Sequence, residues 1–191
     1  MTLPTKLTVL RILLTFAIMA LLFAPGAHAK TATLGLFLAA GFTDWLDGYL
    51  ARKWNQRTPL GALLDPIADK VLVLGLFLAF VQLSLIPAWM ALVIAGREFL
   101  ITGVRLLAAS RRVVLSAEKE GKHKTAWQIF TIVMILLSMA LEESLGLSAP
   151  ARRLLDMLVL ASLWVTMLLT VVSGAMFFWR HRTVLRDAVG P

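Results

Sequence analysis

An all-α membrane protein built from six transmembrane helices, with a short N-terminal juxtamembrane segment, is the fold class this sequence predicts. Three observations carry the prediction. Of the 191 residues, 59% are hydrophobic and only 16% charged, whereas soluble domains carry about a quarter charged residues. Mean hydropathy is +0.83. Six apolar stretches, near 8–25, 34–53, 61–83, 87–109, 125–143 and 154–179, reach or approach the roughly 20 residues that cross a bilayer. Lys and Arg are shared unequally between the two sets of connections.

The first span, 8–25, follows Pro4 and Lys6 and carries Arg11 near its start. Its apolar run leads to Ala27-His28-Ala29, which also has the form of a secretory signal with an A-x-A cleavage site. The five spans that follow favour a retained first helix acting as signal and anchor. The second span ends at Arg52 and Lys53, and the third, 61–83, opens on Gly61 and holds Lys70. The fourth contains Arg97, Glu98 and Arg105, the fifth opens after Lys122 and Lys124, and the sixth contains Gly174 and Ala175. That small pair is a weak packing surface for a second copy. Connections near 26–32, 54–60, 84–86, 110–124 and 144–153 hold Gly, Pro, Ser or charge, as breakers should. No repeat is evident and no room remains for a soluble domain, so 1–191 reads as one unit. Cys is absent, which removes disulfides and thiolate metal sites.

The charges set the orientation. Lys6, Arg11, Arg52, Lys53, Arg57, Arg105, Arg111, Arg112, Lys119, Lys122, Lys124, Arg180, Arg182 and Arg186 fall on one side, and Lys30, Arg152 and Arg153 on the other. The positive-inside rule then places both termini in the cytoplasm, in a cell (inner) membrane. The formal charge of +8 does not argue for nucleic acid. Basic residues flank apolar segments instead of forming a groove interleaved with aromatics, so anionic lipid and phosphate substrates account for them better. Trp89 and Phe177-Phe178-Trp179 read as interfacial anchors.

Four aspartates stand where lipid-spanning sequence is expected: Asp44 and Asp47, then Asp65 and Asp69. Ionisable residues in spans are rare, because a carboxylate near lipid costs several kcal/mol, and they mark functional sites. The spacings i,i+3 and i,i+4 put each pair on one helix face. Four clustered carboxylates stay ionised only if cations neutralise them, and an all-oxygen ligand set suits Mg²⁺ or Mn²⁺. Gly48 and Gly61 let backbone approach a bulky ligand, Ala51 keeps the face of Asp47 open, and Arg52 suits a phosphate. An ordinary bundle with helix-end carboxylates, or a divalent-cation transporter, would also place acids at depth. Four acids at these spacings with Gly48, Arg52 and Gly61 argue against the ordinary bundle. A transporter does not explain Arg52 beside a cation site and calls for polar groups continuing through the other spans.

The pattern Asp-x2-Asp-Gly-x2-Ala-Arg-x8-Gly-x3-Asp-x3-Asp, complete over 44–69, resembles the signature of the CDP-alcohol phosphotransferases. The resemblance implies that Asp44, Asp47, Asp65 and Asp69 bind one or two divalent ions that hold a CDP diphosphate. Asp69 would also be the general base for the acceptor hydroxyl, with Gly48, Ala51, Arg52 and Gly61 lining the nucleotide pocket. Such transfer needs charge neutralisation and in-line positioning above all.

The acceptor is read from flanking cations. Arg97 and Arg105 lie eight residues apart, on one helix face and about 12 Å apart along the axis, and Lys122 and Lys124 follow at the mouth of span five. Four cations near a diphosphate point to a second substrate that is itself a phosphate. Structurally, Glu98 would instead pair with Arg105 or Lys70, and the lysines would be topology anchors. Pro4-Thr5-Lys6-Leu7-Thr8-x2-Arg11, Leu64–Leu72, Arg97-Glu98, Arg105 and Gly121-Lys122-x-Lys124-Thr125 are similar to the branch whose acceptor is sn-glycerol 3-phosphate. That implies CDP-diacylglycerol as donor, membrane lipids around the chain, a cytoplasmic-side site and a homodimer. Inositol phosphate would suit the same cations on charge alone, and phosphatidylglycerol is a further alternative acceptor within the family.

Overall fold

The computed structural model describes the backbone of residues 3–54, 59–110 and 119–182, and the side chains of 8–43, 67–110 and 123–182. Six helices make up the described chain: α1 (Leu3–Phe23), α2 (Ala29–Trp54), α3 (Pro59–Gln82), α4 (Ala88–Ser110), α5 (Lys119–Leu145) and α6 (Ala149–Arg180). No strand is present among the described residues. Each apolar stretch falls on one helix: α2, α5 and α6 run past theirs at both ends, whereas the stretches 8–25, 61–83 and 87–109 overrun α1, α3 and α4 by one or two residues at one end. The largest difference is at α5, which begins at Lys119 and takes in Lys122 and Lys124, predicted to lie in a connection. Hydropathy detects the part of a helix that would meet lipid, whereas backbone hydrogen bonding continues wherever good helix formers such as Lys and Glu follow.

The packed pairs close a ring. Helix α1 packs on α2, α2 on α5, α5 on α6, α6 on α4, α4 on α3 and α3 on α1, while α3 also meets α5 across the middle. Ile18 and Leu22 of α1, Phe37 of α2, Leu76, Phe77 and Phe80 of α3, Ile94 of α4, Ile132 and Leu136 of α5, and Leu163 of α6 fill the interior. The first helix is thus part of the core. Outward faces are apolar as well: Leu13 and Phe16, Leu38 and Phe42, Leu78, Leu92 and Phe99, Phe130, and Leu168 and Val171 are all exposed. A surface apolar on every helix suits a lipid environment and would be an aggregation liability in water. By length and composition, 123–145 and α6 are long and apolar enough to cross a membrane. Helix α4 carries Arg97, Glu98 and Arg105 within one such length, so its mean apolarity is interrupted by charge.

One end of the bundle is clasped by side chains. Glu143 at the end of α5 accepts from the backbone N–H groups of Lys30 (3.1 Å) and Thr31 (3.0 Å) at the start of α2. It thereby satisfies helix-end donors that have no partner within α2. The Lys30 ammonium donates to the Leu22 carbonyl at the end of α1. Helix α3 ends in a Schellman turn, with Leu85 N–H donating to Phe80 O at 2.9 Å and Ser84 N–H to Val81 O at 2.9 Å. Ser84 occupies the left-handed position at φ 59°. The opposite end, where α2 runs into α3 through 55–58, holds the aspartate signature.

Candidate functional site

Asp44 and Asp47 sit on the last part of α2, and Asp65 and Asp69 on the first part of α3. Because both segments are helical, the i,i+3 and i,i+4 spacings give each pair one face. The connection 55–58 is four residues long, so the two helix ends carrying the signature belong to the same end of the bundle. The side chains of Asp44, Asp47, Gly48, Ala51, Arg52, Gly61 and Asp65 lie outside the described residues, as does that of Lys122. Among the described residues no three acidic or His side chains gather as a metal cluster.

Asp69 is described, and its surroundings add a residue that sequence reasoning had placed elsewhere. Arg11, counted above as an orientation charge at the membrane face, is buried: its side chain is 1% exposed, that of Asp69 57%. Arg11 Nη1 donates to Asp69 Oδ1 at 2.9 Å. A guanidinium withdrawn from water needs a paired anion, and the last aspartate of the signature supplies it. Thr8 and Thr15, one turn to either side of Arg11 on α1, are also buried, and Thr15 Oγ1 donates to the Arg11 carbonyl at 2.9 Å. The resemblance at Pro4–Arg11 was the available signal; nothing local to α1 reveals a partner on α3.

A second cluster forms a belt through four helices. Arg97 donates from Nη1 to Glu98 Oε1 (3.0 Å) and from Nη2 to Ser173 Oγ of α6 (3.2 Å). The Lys124 ammonium of α5 donates to the same Glu98 oxygen. Lys70, next to Asp69 on α3, donates to Thr102 Oγ1, which in turn donates to the Glu98 carbonyl at 2.7 Å. Arg105 lies over the Phe177 ring of α6 with its guanidinium carbon 5.7 Å from the centroid. Arg97 and Arg105 therefore share the α6-facing side of α4, as their spacing predicted. Glu98 pairs with Arg97 and Lys124 and not with Arg105 or Lys70, because the inner faces of α4 and α5 bring Lys124 to it. Lys124 is 2% exposed, so it is an interior group and not a surface anchor. Phe177, read above as an interfacial anchor, is 1% exposed and lies under Arg105. Gly174, read as a packing surface for another chain, faces inward: a Cβ there would stand 3.3 Å from Arg97 Cγ.

Lys70, Arg97, Arg105 and Lys124 are four basic residues, and among the described residues the belt contains one carboxylate, Glu98. Arg97 Nε is buried with no hydrogen-bond partner among the described residues. Of the four, Lys124 is buried, Lys70 and Arg97 are partly buried and Arg105 is exposed. An excess of cations with an unused donor is the electrostatic complement of an anion. The chemistry at Asp69 is different. Its carboxylate is a hard oxygen donor, more than half open, and the signature adds oxygen ligands only. That donor set fits a divalent cation such as Mg²⁺ or Mn²⁺. Asp69 and Lys70 are consecutive residues, so a carboxylate centre and a cationic belt adjoin.

A family model described as CDP-alcohol phosphatidyltransferase matches residues 1–176. The chain is 38% identical to the CDP-diacylglycerol–glycerol-3-phosphate 3-phosphatidyltransferase of Bacillus subtilis (strain 168), over 97% of this chain and 98% of that protein. It is 32% identical to the protein of the same name from Rickettsia typhi, over 95% and 97% of the two chains. A cardiolipin synthase (CMP-forming) of Oryza sativa subsp. japonica is 39% identical over 72% of this chain and 46% of that protein.

Proposed function

The chain belongs to the CDP-alcohol phosphatidyltransferase family, and on that footing we propose that it transfers the phosphatidyl group of CDP-diacylglycerol to sn-glycerol 3-phosphate, releasing CMP. The observation that supports a phosphorylated acceptor is the belt of Lys70, Arg97, Arg105 and Lys124 around Glu98, one residue from Asp69, and the choice of sn-glycerol 3-phosphate among such acceptors rests on the relatives. Relatives similar over almost their whole length carry the same activity in their names.

In this reading CDP-diacylglycerol enters from the bilayer, its acyl chains against apolar outer faces and its head group at the cytoplasmic end of six membrane-crossing helices. Asp44, Asp47, Asp65 and Asp69 would hold one or two Mg²⁺ or Mn²⁺ ions, which neutralise the diphosphate and align it for displacement. Gly48, Ala51 and Gly61 leave room for the nucleotide, and Arg52 binds its phosphate. Arg97 and Arg105, with Lys122 and Lys124, hold the phosphate of the acceptor. Asp69 takes the proton of the acceptor's primary hydroxyl as that oxygen bonds to the lipid-side phosphorus and the bond to CMP breaks. Two copies assemble in a cell membrane, with both termini and the site facing the cytoplasm.

The similarity to a cardiolipin synthase favours a second reading in which phosphatidylglycerol is the acceptor. Release of CMP by the purified protein, with CDP-diacylglycerol and Mg²⁺, separates the two. The expected result is CMP only when sn-glycerol 3-phosphate is added, lost on chelation. CMP with phosphatidylglycerol or inositol phosphate alone moves the acceptor and keeps the chemistry. No CMP with any alcohol overturns the transferase reading and returns cation transport as the alternative.

A further inference from the structure

Resting on that reading, we propose that Arg11 is a positioning residue for Asp69: from inside the bundle it takes one oxygen of the carboxylate and so sets which edge is offered to metal and acceptor. The signature spans 44–69 and does not include α1, yet α1 supplies the cation that touches its last aspartate, 58 residues away. The two partners are unlike in exposure. Asp69 projects into open space, 57% exposed, while the Arg11 side chain is 1% exposed. Thr8 and Thr15 flank Arg11 on the buried face of α1 at 0% and 1% exposure, so its stem has nowhere to swing. A guanidinium is a planar fork and fixes direction as well as charge, which an ammonium does not. The contact is a single bond from Nη1 to Oδ1 at 2.9 Å. It comes from a buried stem and so restrains the carboxylate from one side, and a base or ligand displaced by about 1 Å forfeits on the order of a hundredfold in rate.

The test compares wild type, Arg11→Lys, Arg11→Met, Asp69→Asn and the double variant Arg11→Met/Asp69→Asn, all purified in detergent as full chains. Two readouts are used: steady-state CMP release with each substrate varied, and binding of Mn²⁺ alone, followed by the magnetic-resonance signal of the free ion. Arg11→Met is expected to lower kcat roughly 10- to 100-fold, with both KM values within about threefold of wild type. Arg11→Lys, which keeps the charge without the fork, falls between the two. Loss of the competing cation should tighten Mn²⁺ binding about threefold or more in Arg11→Met. That difference should vanish when Asp69 is already Asn.

A wild-type kcat in Arg11→Met overturns the proposal. So does a raised KM for CDP-diacylglycerol with kcat unchanged, which would make Arg11 a substrate contact, and so does a Mn²⁺ effect that persists in the Asp69→Asn background. If Arg11→Met does not stay monodisperse, Arg11→Lys decides, and its having wild-type kcat and Mn²⁺ binding is the overturning result. If wild type itself releases no CMP, the proposed function fails, and the Mn²⁺ comparison by itself still supports or overturns the role of Arg11.

Discussion

Glu98 illustrates how much one side chain organises. One of its oxygens receives both Arg97 and Lys124, from adjacent positions on α4 and from α5, with only 14% of the Glu98 side chain exposed. Removing one partner of a buried pair leaves the remaining charges uncompensated, at a cost of about 3 kcal/mol or more. Glu98→Ala is therefore expected to lower the melting temperature in detergent clearly and to raise the KM for sn-glycerol 3-phosphate. An unchanged melting curve would show that the belt holds nothing together. Asp69→Asn keeps the shape of the side chain and removes its basicity. It should abolish CMP release while CDP-diacylglycerol binding, measured by calorimetry, survives; near-normal turnover would take the base assignment away from Asp69. Of the four aspartates only Asp69 has a described side chain, but their spacing was legible in the sequence. The role of Arg11 was not, because a basic residue near the end of an apolar run reads as an orientation charge until its partner is known.

At the level of helices, approach distances and turn chemistry decide what each element tolerates. Gly174 lets α6 come close to α4, with Arg97 Cγ 3.3 Å from where a Cβ would stand. The head of Arg97 is tied to Glu98 and Ser173, so its stem cannot yield without moving the guanidinium. Gly174→Ala should raise the KM for sn-glycerol 3-phosphate severalfold, while melting temperature changes little because the helix gains about 1 kcal/mol in propensity. A wild-type KM would remove Arg97 from the acceptor site. At the other end of the bundle, Ser84 adopts φ 59° to close the Schellman turn of α3, a conformation that costs a non-glycine residue roughly 1 kcal/mol. Ser84→Gly is expected to raise stability by about that amount without touching kcat. A fall in melting temperature would mean that the hydroxyl, and not the backbone angle, matters there. Helix number and order were legible because hydropathy and breaker residues are local signals. The N-terminal extension of α5 was not, because Lys119–Lys124 is too polar to register as a span.

For the whole molecule, the ring of six helices puts charged groups inside and apolar groups on both the core and the outer faces. Such an inverted surface is stable where lipid replaces water around it. The proposed orientation rests on the unequal Lys and Arg distribution, and the absence of cysteine makes it directly measurable. Single cysteines at Ser110, the last residue of α4, and Ser148, before α6, should react oppositely with a membrane-impermeant maleimide in intact cells. Ser148→Cys is expected to label at once and Ser110→Cys only after permeabilisation. The reverse pattern would place the aspartate signature on the outer side, away from nucleotide-activated lipid formed in the cytoplasm.

The sequence by itself determined the six helices, the membrane-compatible composition and the family to which the signature points. All of these rest on period, hydropathy or fixed spacing, which are properties of short windows of chain. Only the tertiary structure decided that Arg11 meets Asp69, that Glu98 joins Arg97 to Lys124, and that Ser173 and Phe177 back the two arginines of α4. Those partners are separated by 58 residues for Arg11 and Asp69, 26 for Lys124 and Glu98, and 76 for Arg97 and Ser173. A charge buried away from water must be matched by whichever group the packing of other helices brings within about 3 Å, and no local pattern encodes that choice.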